Sequence, residues 1–282
     1  MKKILSVVVV AVLASCASAP APAPVAAASA VTSAPAAAPP KEVTYEEALP
    51  ISVKSYYQNG DPSGTTNFKY DTRGFLVSQE TFNGNGVLME TRAGKAKGDG
   101  WRITVTSAQN GDVIALEDRT MGPKGELLVQ TFLTPKEVPQ ASNEYAYDKA
   151  GRKILWLAKT GSGGLQARTV YTYDTQGNNT KTEVYDAGGA LTNVFVSVFE
   201  GTHIVTRQGF DASQTLVELT NFTWKDGRKV KEETVKPLLR TIEYTYGDKS
   251  APTGIVSSVR GKVVEKQTLE YQWFTKTKTV NP

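Results

Sequence analysis

From Lys41 onward, short runs in which β-branched or aromatic residues alternate with polar ones recur along the chain: "TKTEVY", "LTNVFVSVF", "VELTNFTW" and "RTIEYTY". A period of two puts alternate side chains on opposite faces of an extended strand. Between the runs stand turn-forming clusters, among them Asn59-Gly60-Asp61-Pro62, Asp71 to Gly74, Asn83 to Gly86, Asp148 to Gly151, Asp174 to Gly177 and Asp226-Gly227. Neighbouring clusters lie about 12–13 residues apart, the length of one strand plus one turn. Asx-Gly and Gly-rich pairs supply the positive φ that tight hairpins require. The pattern predicts an all-β fold: an antiparallel meander of about 16–18 short strands, built from β-hairpin repeats and forming an extended or curved sheet. Only "YEEALP", starting at Tyr45, reads as helical.

A second period lies over the first. The phrase aromatic, any residue, aromatic, Asp occurs at Phe68-Lys69-Tyr70-Asp71, Tyr145-Ala146-Tyr147-Asp148 and Tyr171-Thr172-Tyr173-Asp174. Looser versions are Phe222-Thr223-Trp224, Tyr244-Thr245-Tyr246 and Tyr271-Gln272-Trp273. Between the second aromatics the steps are 77, 26, 51, 22 and 27, close to multiples of about 25, one hairpin per unit. Residues i and i+2 of a strand face the same way, so each unit places two rings on one face beside a turn. The aspartate is expected to accept hydrogen bonds from N–H groups two or three residues on, and the glycine to take the left-handed conformation. Stacked units would align their rings as cross-strand ladders. Such a ladder serves packing, or offers a platform to sugar rings or to a partner's apolar surface.

"YAYDKAGRK" and "YTYDTQGN" resemble the YD repeats of bacterial Rhs-type cell-surface proteins, whose pattern is Tyr-x-Tyr-Asp-x-x-Gly. Residues 145–151 and 171–177 match it fully, and the copy from Phe68 to Gly74 has Phe for the first Tyr. The resemblance implies consecutive hairpins of one long sheet. Large Rhs-type shells are closed by an autoproteolytic segment with catalytic aspartates near the C-terminal end of the core. Here the only Asp-Pro pair is Asp61-Pro62, at the wrong end, so no catalytic residue is carried over.

The first forty residues address the chain. Met1-Lys2-Lys3 precedes the apolar run "ILSVVVVAVLA", too short for a permanent span, and residues 1–15 read as a signal peptide. Leu13-Ala14-Ser15-Cys16 resembles the lipobox of bacterial lipoproteins, which implies cleavage before Cys16 and acylation of its thiol. Several acyl chains hold a protein on a membrane without a transmembrane helix. Ala17 after the cysteine implies, by the sorting rule of enteric bacteria, the outer membrane. Residues 16–40 form an Ala/Pro-rich tether, leaving 41–282 as a single β-repeat domain. Strands such as "TKTEVYD" and "VKEETVKP" cannot present an apolar belt, which argues against a transmembrane barrel.

Charge and chemistry narrow the function further. Without Lys2 and Lys3, 30 basic residues stand against 28 acidic ones, and this balance gives no case for nucleic acid. Cys16 is the only cysteine and His203 the only histidine, so neither a disulfide nor a zinc site of the usual kinds is expected. Glu46-Glu47 and Glu232-Glu233 are adjacent, so in strands they point to opposite faces and cannot act together. No cofactor and no catalytic group is indicated. The leading expectation is a lipid-anchored, non-catalytic envelope module that binds or supports an envelope protein or glycan. The alternative is a periplasmic carrier or chaperone holding an acyl chain or unfolded polypeptide on a curved sheet, and the lesser alternative an enzyme.

Overall fold

The computed structural model describes residues 41–280, so the signal peptide, Cys16 and the tether to residue 40 lie outside the described residues. Eighteen strands follow one another. The first six are β1 (Lys41–Tyr56), β2 (Pro62–Tyr70), β3 (Leu76–Asn83), β4 (Leu88–Lys97), β5 (Gly100–Ser107) and β6 (Val113–Met121). Then come β7 (Leu127–Leu133), β8 (Pro139–Tyr147), β9 (Lys153–Thr160), β10 (Leu165–Tyr173), β11 (Asn179–Asp186) and β12 (Leu191–Glu200). The last are β13 (His203–Asp211), β14 (Leu216–Lys225), β15 (Arg228–Lys236), β16 (Arg240–Tyr246), β17 (Pro252–Val259) and β18 (Lys262–Val280). "YEEALP" lies within β1, paired from Tyr45↔Lys276 to Pro50↔Tyr271, rather than in a helix. The segment is too short to hold a helix in water, and a long partner strand decides its conformation.

Each strand pairs antiparallel with the next, and β18 returns to β1, from Lys41↔Val280 to Tyr56↔Lys266. The sheet is therefore a closed barrel, which corrects the extended or curved sheet expected from the sequence. Closure joins strands from opposite ends of the described chain, and no local periodicity encodes such a contact. It removes the two edges on which an open meander would recruit other strands. Residues 41–50 and 271–280 pair only with each other, continuing past the barrel as a two-stranded ribbon.

Exposure distinguishes the two faces. On β12, Val196 and Val198 are 36% and 51% exposed, whereas Phe195, Ser197 and Phe199 are half-buried. The register carries this alternation round the ring, for example through Tyr145↔Trp156, Trp156↔Thr169, Thr169↔Val184 and Val184↔Asn193. The Phe195 set is the inner, concave face. Among the described residues the buried hydrophobics are Trp101, Ile103, Val105, Leu116, Leu133 and Phe274, too few to fill the ring. A closed ring of eighteen strands is too wide for so few side chains to fill, which leaves the interior hollow. The outer face carries Lys181 and Glu183 on β11, Lys231 and Glu233 on β15, and the pairs Arg102–Asp118 (2.6 Å) and Lys159–Glu144 (2.5 Å).

The turns show how the repeat is made. At Asp71 the N–H bonds Phe75 O (2.9 Å), Gly74 N–H bonds Asp71 O (3.0 Å), and Gly74 has φ 86°. Asp71 Oδ1 accepts from Arg73 N and Phe75 N, both at 2.9 Å. Asp148, Asp174 and Asp211 repeat this pattern. The carboxylate thus accepts two and four residues on, not two or three, and a bulge follows within the first residues of the next strand, at Leu76–Ser78, Lys153–Leu155 and Asn179–Lys181.

Candidate functional site

All six aromatic pairs lie on even-numbered strands, five of them near the end where the strand turns into the following odd strand. Phe68 and Tyr70 stand on β2, Tyr145 and Tyr147 on β8, and Tyr171 and Tyr173 on β10. Phe222 and Trp224 stand on β14, Tyr244 and Tyr246 on β16, and Tyr271 and Trp273 where β18 leaves the barrel for the ribbon. The second ring of five pairs donates to a backbone carbonyl of the preceding odd strand, at or next to its start in four cases and, in β1, at Pro50, just before the stretch that pairs with β2. These contacts are Tyr70–Pro50 O (3.0 Å), Tyr147–Leu127 O (2.9 Å), Tyr173–Lys153 O (2.8 Å), Trp224–Ile204 O (2.7 Å) and Tyr246–Lys229 O (2.7 Å). In the sixth pair the first ring does so, Tyr271 reaching Pro252 O at 2.9 Å. At the β3–β4 hairpin the even strand ends in Ala96 and Lys97, and Trp101 from β5 reaches over to Leu76 O instead (2.8 Å). A half-buried ring, or in Trp101 a buried one, thereby satisfies a main-chain acceptor beside each of these hairpins.

The rings do not form an unbroken ladder, because an odd strand separates each even pair from the next. Cations fill two of these gaps. Lys153 Nζ lies 5.6 Å from the Tyr145 ring and 4.9 Å from Tyr171, and Lys229 Nζ lies 5.9 Å from Phe222 and 4.9 Å from Tyr244. Arg152 and Arg228 cover Tyr173 and Tyr246 at 4.9 and 5.5 Å. Both cation pairs follow a glycine, in the shared phrase Gly-Arg-Lys at 151–153 and 227–229, which was the sequence signal for them. The same arginines tie turn to turn, Arg152 to Asp174 O (3.4 Å) and Arg228 to Gly247 O and Asp248 O (both 2.9 Å).

Further into the barrel the inner face is polar. Arg119, Glu117, Gln130, Asn143 and Trp156 form a hydrogen-bonded chain across β6 to β9, with links of 2.5, 2.7, 3.3 and 3.0 Å. Glu90–Arg92 (2.8 Å) and Arg207–Glu218 (2.7 Å) are further inward pairs. Burial opposes the charge of Glu232, but hydrogen bonds from Lys229 and from the Tyr244 hydroxyl outweigh it and keep the carboxyl below its ordinary pKa. Burial, and then the same carboxylate, push the Tyr244 phenol up. These residues are scattered in sequence, and only the register brings them together.

Between β10 and β14 the inner face opens into a recess of about 450 Å³, lined by Tyr171, Thr182, Phe195, Phe199, Arg207 and Glu218 among others. An adjoining recess of about 340 Å³ shares Arg207 and Glu218 and extends to Glu232 and Arg240. His203 packs on Trp224, ring centroids 4.4 Å apart. Among the described residues no group of three or more His, Cys, Asp and Glu is placed to hold a metal ion.

No protein-family model and no curated protein matches the sequence. Among solved structures, a porin-like protein from Bacteroides uniformis shares 12% identity at a TM-score of 0.42, over 87% of this chain and 99% of that one. A porin-like protein from Bacteroides vulgatus shares 11% identity at 0.39, over 80% of this chain and 99% of that one. The TcdB2–TccC3 structure shares 10% at 0.24, over 73% of this chain and 16% of that one. Likeness this loose assigns the chain to neither group, and the closed ring rests on its own strand pairing.

Proposed function

We propose that the chain is a lipid-anchored module of the bacterial cell envelope, built from YD-type hairpin repeats, that binds a glycan inside its barrel without transforming it. The observation that carries this reading is the hollow inner face, where aromatic rings stand beside amides and paired charges. Sugars are bound by such mixtures: rings stack on the C–H faces of a pyranose while amides, carboxylates and guanidiniums take its hydroxyls. The carrier reading is disfavoured by the same face. An acyl chain would strip water from Glu90, Arg92, Glu117, Arg119, Arg207 and Glu218 and give their remaining lone pairs and N–H groups nothing in return. Acylation of Cys16 would hold the module at the membrane, by resemblance to sorted lipoproteins the outer one, with the barrel and its charged outer face in water.

Titrating the protein with neutral oligosaccharides of glucose, galactose, mannose and N-acetylglucosamine, and with soluble muropeptides, tests the proposal. Trp156 and Trp224 face the interior, so binding should appear as a saturable change in tryptophan fluorescence, and the sugar should be recovered intact. Silence across the whole set, or lipid co-purifying with the detergent-extracted protein, would sink it. Labelling with a palmitate analogue should mark the wild type and not Cys16→Ala.

A further inference from the structure

The hairpin repeat lacks its ring donor at two positions on the inner face. Seven ring donors meet a carbonyl beside their hairpins: Tyr70, Trp101, Tyr147, Tyr173, Trp224, Tyr246 and Tyr271. The corresponding position is Met121 on β6 and Phe199 on β12, neither of which donates a hydrogen bond. Phe199 stands twenty residues beyond Asn179, as Tyr173 stands beyond Lys153 and Trp224 beyond Ile204. The recess lies at this unpinned ring and not at Met121. Beside it, Asn179 Nδ2 is a buried side-chain nitrogen without a hydrogen-bond partner.

We infer that this recess, bounded by Phe195, Phe199 and the Arg207–Glu218 pair, is a subsite for one uncharged pyranose ring of the glycan. The inference rests on the glycan-binding reading and adds where, and in what form, the sugar is held. Phe195 is fixed by its strand: it lies across Gly209, where a Cβ would come within 2.8 Å of the ring, so only glycine lets the ring lie flat there. Arg207 spends Nε and Nη2 on a single oxygen of Glu218, Oε1, at 3.1 and 2.7 Å. Glu218 Oε2 and Arg207 Nη1 are left for a ligand, an acceptor beside a donor, which matches two neighbouring hydroxyls. The pair has no net charge, so it favours a neutral sugar over an acidic one. At about 450 Å³ the recess falls in the usual span of small-molecule sites, roughly 300–1,000 Å³.

Binding of the neutral oligosaccharide that responds best should be compared among the wild type, Glu218→Gln, Phe199→Tyr and Met121→Tyr. Glu218→Gln should weaken binding at least tenfold. Phe199→Tyr should raise the melting temperature, by restoring the missing bond to the Asn179 carbonyl, and should weaken binding by pinning the ring. Met121→Tyr should leave affinity unchanged. In wild-type protein carrying labelled phenylalanine, the sugar should shift the Phe195 and Phe199 resonances, a readout that needs no variant to fold. Binding that persists in Glu218→Gln and Phe199→Tyr with unmoved phenylalanine signals would overturn the subsite while leaving glycan binding in place. Failure of the wild type to bind any sugar would overturn both.

Discussion

Trp101 reaches the Leu76 carbonyl only because β4 gives way beneath it. A Cβ at Gly94 would collide with that carbonyl oxygen and with Trp101 Nε1, and Ala96, the ladder partner of Trp101, adds only a methyl. Trp101, Ile103 and Val105 form the one buried hydrophobic cluster among the described residues, so the glycine supports the best-packed part of the wall. Gly94→Ala should therefore lower stability by about 2 kcal/mol or more, read as a shift in denaturation midpoint, although alanine suits a strand no worse than glycine. The opposite change is expected at Gln214. It holds the left-handed position of the Asp211 turn with φ 61°, where equivalent turns place Gly74, Gly151 and Gly177. Gln214→Gly should stabilise the protein by roughly 0.5–1 kcal/mol, since a side chain at positive φ costs about 1–2 kcal/mol and glycine gives about half of this back in unfolded-state entropy.

The hairpin is the element in which sequence and structure agree most closely. Alternation marked the strands, and the Asp-x-x-Gly bends marked the turns, because both depend on contacts within a few residues. The inner site was far less legible. Arg207 and Glu218 meet only through the β13–β14 register, and nothing near Glu117 foretells Gln130. The rings are legible in the sequence and their neighbours are not: spacing of about 25 shows that rings recur, not that an odd strand stands between them. The turn carboxylates also give the hairpins a pH dependence. Burial opposes the charges of Asp71, Asp148 and Asp174, yet the N–H groups of Phe75, Arg152 and Asn178 and the neighbouring side chains outweigh it and lower all three. Asp118 is lowered to about 2, first by its hydrogen bond to Arg102. A depressed carboxyl stabilises the fold above its unfolded pKa, about 3.9, and that stability fades as pH falls through the folded value. Thermal stability should hold from pH 7 to about 4 and decline between about 4 and 2. Asp118→Asn should make the decline shallower; an unchanged slope would show that Arg102 does not stabilise that charge.

At the scale of the whole molecule, the closing seam turns a repetitive hairpin series into a vessel. Without the β1–β18 pairing, the same hairpins would form an open sheet with two sticky edges and no enclosed inner face. Because Lys41 and Val280 are ladder partners, the two ends of the described chain lie side by side. A circular permutant tests this directly. Joining residue 280 to residue 41 through Asn-Gly makes the seam a hairpin, since that dipeptide suits a tight two-residue turn. New termini fit the β9–β10 turn, where Gly161 to Gly164 carry a single side chain, that of Ser162, and its hydroxyl bonds only Thr160 of the same turn (2.9 Å). If the ring is closed, the permutant keeps the same strand neighbours and hence the same wall. It should show an unchanged far-ultraviolet spectrum, one cooperative transition within a few degrees of the parent, and the same sugar affinity. If the sheet were open, the cut would split it between β9 and β10 and the linker would have to span the distance between its two far edges. The permutant would then aggregate or melt in two steps, and the enclosed inner face, with the binding function built on it, would have to be abandoned.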